Sequence, residues 1–112
     1  MLNQFYVVGR IKGNISKREY EDGTIKGSMY IEVQRSYKNE DGIYESDSYR
    51  IEMRDGIASN VSEYCTDGDL VGIKGRLQSD KSKVELIAEK VSFLASKSKV
   101  KENENVKIDD VM

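Results

Sequence analysis

The hydrophobic pattern of this chain has a period of two almost throughout and switches to a helical period once. That single switch constrains the fold more than any other feature. In "GIASNVSEYCTDGD" (56–69), Ile57, Val61, Tyr64 and Cys65 fall at i, i+4, i+7 and i+8, one face of a short helix that stops near Gly68. Three strand-like segments precede it. "QFYVVGRIK" (4–12) carries apolar residues on both faces, as suits a strand buried on two sides, or buried on one and paired with another subunit on the other. "SMYIEVQR" (28–35) sends Met29, Ile31 and Val33 inward and Tyr30, Glu32 and Gln34 outward. "RIEMR" (50–54) alternates as strictly: Ile51 and Met53 point one way, and Arg50, Glu52 and Arg54 the other. Two strands follow the helix. "LVGIKGRL" (70–77) sets Val71, Ile73, Gly75 and Leu77 against Gly72, Lys74 and Arg76, and "VELIAEKVSFL" (84–94) is the last.

The connections agree. "NISKREYEDGT" (14–24) is polar with a turn signal at Asp22-Gly23, and "NEDGIY" (39–44) has Asp41-Gly42 at its tip, which makes the second and third strands a hairpin. "QSDKSK" (78–83) is a short polar turn. Strand, strand, strand, helix, strand, strand is the order of an OB-fold, so the pattern predicts an all-β, five-stranded OB-fold barrel with one short helix between strands three and four. A generic α+β sheet gives the same string. Gly9 and Gly75, inside strands, suit the bends of a small barrel.

With 112 residues the chain is long enough for one core. We read residues 1–95 as that domain and 96–112, "SKSKVKENENVKIDDVM", as a charged, disordered tail. A single cysteine, Cys65, fits a reducing compartment, and no apolar run approaches the roughly 18 residues of a membrane span, which points to a cytoplasmic protein. Histidine is absent, and with it the commonest general base and metal ligand. "GIKGR" lacks the spacing of a phosphate loop, and the carboxylates show no metal-ligand spacing, so neither an enzyme nor a cofactor is expected. The 18 basic and 20 acidic residues give a net charge of -2, so a polyanion site has to come from local arrangement.

The opening "MLNQFYVVGRI" resembles the first strand of bacterial single-stranded DNA-binding proteins, typically M-I-N-x-V-x-L-V-G-R-L. The resemblance continues through Arg18, Gly23, "IEVQRSY", "NVSEYCTDGDLVGIKGRL" and "VELIAEKVSFL", and spans residues 1 to 94. It implies an OB-fold that assembles as a homotetramer, or less often a homodimer. Such a protein wraps single-stranded DNA without strong sequence preference and serves replication, recombination or repair at the nucleoid. Tyr37 stands where that family places a stacking aromatic, whereas Ser48 and Arg54 stand where it often places two more. The family's long finger between strands four and five is cut to "QSDKSK". The end, Ile108-Asp109-Asp110-Val111-Met112, resembles faintly the acidic tip by which such proteins recruit replication partners.

Single-strand binding needs cations for phosphates and flat rings for bases. The nucleic-acid-binding residues expected are therefore Tyr37, Arg35, Lys38, Arg50, Arg54, Lys74, Arg76 and Tyr30, with Arg10, Lys12 and Arg18 (beside Lys17) on a basic loop next to the barrel. DNA is expected to cross strands two, three and four. Against each stands a bland reading: a half-exposed strand tyrosine, a solvated loop, or a charge ladder in which Glu52 neutralises its neighbours. Tyr44 near the hairpin tip is a further candidate, Tyr6 suits a subunit interface, and Tyr64 and Cys65 are expected in the core. The alternative to DNA binding is an OB-fold that binds protein, a paralogue or primosomal-type accessory whose stacking residues have been lost.

Overall fold

The structure, a computed structural model, describes residues 1–97 of the chain. Its elements are β1 (Phe5–Glu19), β2 (Ile25–Lys38), β3 (Tyr44–Arg54), α1 (Asp55–Tyr64), β4 (Leu70–Asp80) and β5 (Lys83–Ala95). The strands close a barrel in the order β1-β2-β3-β5-β4, the five-stranded OB architecture with one helix between β3 and β4 that the element order predicts. The expected tail lies almost entirely beyond residue 97, and its IDDVM end lies wholly outside the described residues.

The first strand does more than its apolar pattern suggests. It pairs with β4 from Phe5 to Arg10 and with β2 from Arg10 to Glu19, so one strand joins two faces of the barrel. The polar stretch from Asn14 is not a loop, as its composition suggests, but the second half of this 15-residue strand. Ser16 to Glu19 find backbone partners in Ile25 to Ser28, and ladder hydrogen bonds need no apolar side chains. The strand changes partner at Arg10, and a register shift between Lys12 and Ser16, within its pairing with β2, lets it bend beyond that point. The hairpin then turns at the Asp22-Gly23 signal: Gly23 takes a positive φ of 88° and donates its N–H to the Tyr20 carbonyl. The β2–β3 hairpin turns at Gly42, where the Asn39 side chain accepts from the N–H groups of Asp41 and Ile43 at 2.9 Å.

Alternation sends Ile11, Met29, Ile31, Ile51, Met53, Val71 and Ile73 into one core. Each such side chain contributes about 1.5–3 kcal/mol by leaving water. The helix closes the barrel with Ala58 and Val61, while Ile57 and Cys65 pack partly against the same core. Two inward expectations fail for local reasons. Tyr64 is 72% exposed because α1 ends there, four residues short of Gly68, and Cys65 is already extended. Leu77 is exposed because the β1–β4 ladder ends at Gly75; beyond it the Asn3 side chain satisfies the Leu77 N–H and carbonyl but covers no side chain.

Gly9 and Gly75 are sites of close approach. A Cβ on Gly9 would strike the Glu32 carbonyl oxygen, and one on Gly75 would strike the Ile87 carbonyl oxygen and the Phe5 ring. Gly75→Ala is therefore expected to cost about 1–3 kcal/mol, the usual range for overpacking. Urea unfolding followed by circular dichroism measures this; an unaltered midpoint would mean that the barrel relaxes around the added methyl.

Candidate nucleic-acid interface

Strand register decides which outward residues meet. Lys12 lies opposite Tyr30, and Tyr30 opposite Arg50, so one row across β1, β2 and β3 reads cation, ring, cation. Tyr30 is 48% exposed at its centre. The next row in one direction is Arg10, Glu32 and Ser48; in the other it is Ser16, Ser28 and Glu52. Beyond that, Arg18 faces Lys26 and Lys26 faces Arg54. Adjacent strands lie about 4.8 Å apart, so each row is a compact cross-strand stripe.

Several of these cations have carboxylate partners. Lys12 Nζ lies 3.3 Å from Glu32, and Arg50 Nε lies 2.8 Å from Glu52 on its own strand. These are exposed pairs, each contributing of order 1 kcal/mol or less and open to exchange for a phosphate. Arg54 forms no ion pair among the described residues. Arg10 reaches the Gly68 carbonyl at 3.4 Å.

Arg35 is committed more deeply. Its Nε and Nη2 donate to the two Asp47 oxygens at 3.0 and 2.8 Å, and its Nη1 donates to Glu45 at 2.7 Å. Asn39, which shapes the turn, also donates to Glu45 at 3.0 Å. The guanidinium is thus a clasp across the hairpin, not a free phosphate ligand. Hydrogen bonds to Asp47 push the Arg35 pKa further up, and the same bonds hold the Asp47 carboxyl below the usual carboxylate range. Beyond the clasp, Tyr37 is 64% exposed on a bulged part of β2, and Lys38 Nζ sits 5.6 Å from the Tyr44 ring centroid.

Lys74 and Arg76 do not join this face. In the barrel β3 neighbours β5, not β4, so a path across strands two, three and four is not continuous. Lys74 lies opposite Tyr6 on β1 and Lys90 on β5, and Arg76 approaches Glu89 at 3.6 Å. Two side chains absent from the expected set do belong near the face. Lys26 stands between Arg18 and Arg54, and the Tyr20 ring lies 5.1 Å from Arg18 Cζ and 5.4 Å from Lys26 Nζ. The observed pairing is centred on Asp22, so a turn centred on the Asp22-Gly23 dipeptide would instead have set Lys26 opposite Glu19; the register of the arm had to come from the structure.

Among the described residues, no group of three or more His, Cys, Asp or Glu side chains could hold a metal, and no helix is long and apolar enough to cross a membrane. Burial pushes the Cys65 thiol up, which makes it a poor nucleophile.

Tyrosines interleaved with cations on the outer face of an OB barrel define a class: a protein built to hold an extended chain of bases and phosphates. Within that class the chain belongs to the single-strand binding protein family, whose profile matches residues 2–94. It is 32% identical over 107 residues to single-stranded DNA-binding protein 2 of Staphylococcus aureus (strain Mu50), covering 88% of this chain and 76% of that protein. It is 34% identical over 79 residues to single-stranded DNA-binding protein B of Bacillus subtilis (strain 168), covering 70% of each. Two crystal structures share the fold. One is a deletion variant of the single-stranded DNA-binding protein from Thermus aquaticus, with TM-score 0.67 and 21% identity over 83% of this chain and 50% of that one. The other is a small single-stranded DNA-binding protein from Streptomyces coelicolor, with TM-score 0.64 and 17% identity over 84% and 95%.

The clasp has a pH signature. The folded Asp47 pKa lies below its unfolded value of about 3.9, so its contribution is present above that pH and is lost as pH falls through the folded value. Asp47→Asn is expected to be less stable than the parent chain near neutral pH. The difference should vanish on acidification from about pH 5 to pH 2, read as converging urea midpoints.

Proposed function

We propose that this chain binds single-stranded DNA without sequence preference, along the outer face of β1, β2 and β3, and carries out no chemistry. The observation that carries this reading is the row Lys12–Tyr30–Arg50: an exposed ring with a cation on each side. Tyr30 supplies a stacking plane, which compensates for Ser48 and Arg54 at positions where relatives often have rings. Arg54 offers phosphate a free charge, or a base its flat guanidinium. Tyr37, Tyr44 and Lys38 extend the path over the β2–β3 hairpin, which the Arg35 clasp holds in shape. Membership of the family supports the same ligand.

The chain acts as a homo-oligomer, a tetramer or a dimer, in replication, recombination or repair in the cytoplasm. Self-association uses the outward side of β1, β4 and β5, where Tyr6, Val8, Gly72 and Leu94 line an open cleft together with Lys74, Lys90 and Ser92, and Tyr6 is 58% exposed. One observation favours a second reading, an OB-fold that binds protein: Lys12, Arg35, Arg50 and Arg76 all have carboxylate partners within the chain.

Titration with oligo(dT) followed by tyrosine fluorescence separates the two. Quenching that weakens with salt is expected, and no binding at low salt would leave only the protein-binding reading. Tyr30→Ala should lose the stacking of one base, about 1–3 kcal/mol or roughly 5- to 150-fold in affinity. Arg54→Gln should lower the salt slope by about 0.7, one phosphate contact to a single strand, whereas Arg35→Gln should leave it nearly unchanged.

A further inference from the structure

We infer that Glu45 and Asp47, two carboxylates on a hairpin that meets a polyanion, strengthen DNA binding rather than oppose it. With Arg35 and Asn39 they are positioning residues, which set the rings of Tyr37 and Tyr44 in place before the strand arrives. The inference rests on the DNA-binding reading above and concerns how that site is organised, not which surface the DNA touches.

The hairpin needs such bracing because the barrel does not hold it. Beyond Glu32, β2 pairs only with β3 among the described residues, and β3 meets β5 only at Ile51 and Glu52. Residues 33–38 and 44–49 therefore form a two-stranded ribbon, an arrangement only marginally stable in water by itself. Its own ladder is broken as well. Pairing stops at Gln34↔Ser46 and resumes at Lys38↔Tyr44, and Tyr37 lies in the gap.

Side chains span that gap. Three Arg35 donors take three carboxylate oxygens, two of Asp47 and one of Glu45. The other Glu45 oxygen accepts from Asn39 Nδ2 at 3.0 Å. Asn39 Oδ1 in turn accepts from the N–H groups of Asp41 and Ile43, and the Asn39 N–H donates to the Ile43 carbonyl at 2.8 Å. One unbroken chain of hydrogen bonds thus runs from Asp47 on β3 through Arg35 and Glu45 to the turn. Tyr37 and Tyr44 stand on the two strands so braced.

Charge makes the role of the carboxylates testable. Residues 33–47 contain two cations, Arg35 and Lys38, against four carboxylates, Glu40, Asp41, Glu45 and Asp47. By charge alone such a hairpin repels phosphate, and removing a carboxylate tightens binding. A segment that must be ordered on binding, however, loses affinity by that ordering. The clasp orders the hairpin in the free protein, so removing a carboxylate weakens binding. The two effects have opposite signs for the same substitution.

The test measures affinity for oligo(dT) of about 30 nucleotides at neutral pH, below the unfolding transition of each variant. Asp47→Asn and Glu45→Gln are each expected to bind about three- to tenfold more weakly than the parent, although each removes a negative charge. Arg35→Lys keeps its charge but loses the planar fork that spans two carboxylates, and is expected to lose as much. Tighter binding by the carboxylate variants, or an Arg35→Lys chain that matches the parent, would overturn the inference. A double-mutant cycle separates positioning from stability. In a Tyr37→Ala, Tyr44→Ala background, Asp47→Asn should change affinity by less than about twofold, while its loss of stability in urea persists. An equal loss of affinity in both backgrounds would assign the clasp to folding alone. If the parent chain does not bind oligo(dT), the DNA-binding reading and this one fall together. If it binds and removal of both rings leaves its affinity unchanged, only the positioning role falls.

Discussion

Everything in this barrel depends on β1 serving two partners. Its first half is a neighbour of β4 and its second half a neighbour of β2, with Arg10 shared between them. That sharing requires two backbones to approach where β1 crosses Glu32, which Gly9 permits because it has no Cβ. The opposite seam is short: β3 and β5 meet in parallel at only Ile51↔Leu86 and Glu52↔Ile87. Closure there relies on buried side chains, Ile51 and Ile87 above all, and on α1 sealing the end of the core with Ala58 and Val61. A barrel closed this way leaves two outer surfaces, one over β1, β2 and β3 centred on Tyr30 and one over β1, β4 and β5 where Tyr6 stands in a row with Lys74 and Lys90.

Charge on the surface centred on Tyr30 is organised in two ways. Near the centre and at the β2–β3 hairpin, Lys12, Arg50 and Arg35 are matched to carboxylates, the Arg35 clasp being the strongest case, while Arg10 and Lys38 are not. Toward the β1–β2 arm, Arg18, Lys26 and Arg54 form no ion pair among the described residues, although Glu19, Glu21 and Asp22 line the same recess as Arg18 and Lys26. Matched pairs stiffen a surface and set the shape of its hairpin. Unmatched cations raise the local potential without adding stability. A chain of net charge -2 can attract a polyanion only through such local separation of charge.

The barrel itself was legible in the sequence because two periods carry it. Strict alternation in "SMYIEVQR" and "RIEMR" can bury only one set of side chains, and the inward set, Met29, Ile31, Ile51 and Met53, is buried as read. The site was legible only in part. Tyr30, Arg50 and Arg54 were identified as outward by parity alone. Arg35 looked equally free, because the sequence does not show that Glu45 and Asp47, 10 and 12 residues away, fold back onto it. Lys74 and Arg76 were grouped with the other cations on strand parity, which says nothing about whether β3 lies beside β4 or β5. Tyr64 misled for a different reason: it has the right helical phase but sits on the last turn, where no neighbour covers it.

By itself, the sequence determined which side chains of β2 and β3 face inward, how many strands there are, and where the hairpins turn. Those follow from local periodicity and from the backbone freedom of Gly23 and Gly42. Tertiary structure alone decided which outward residues stand together. That depends on strand order and ladder register, and in this barrel β1 is laid against both β2 and β4 while β5 is inserted between β3 and β4. Whether an arginine is a clasp, a ladder partner or a free charge is settled by what lies about 5 Å across the sheet, which a position in the chain does not encode.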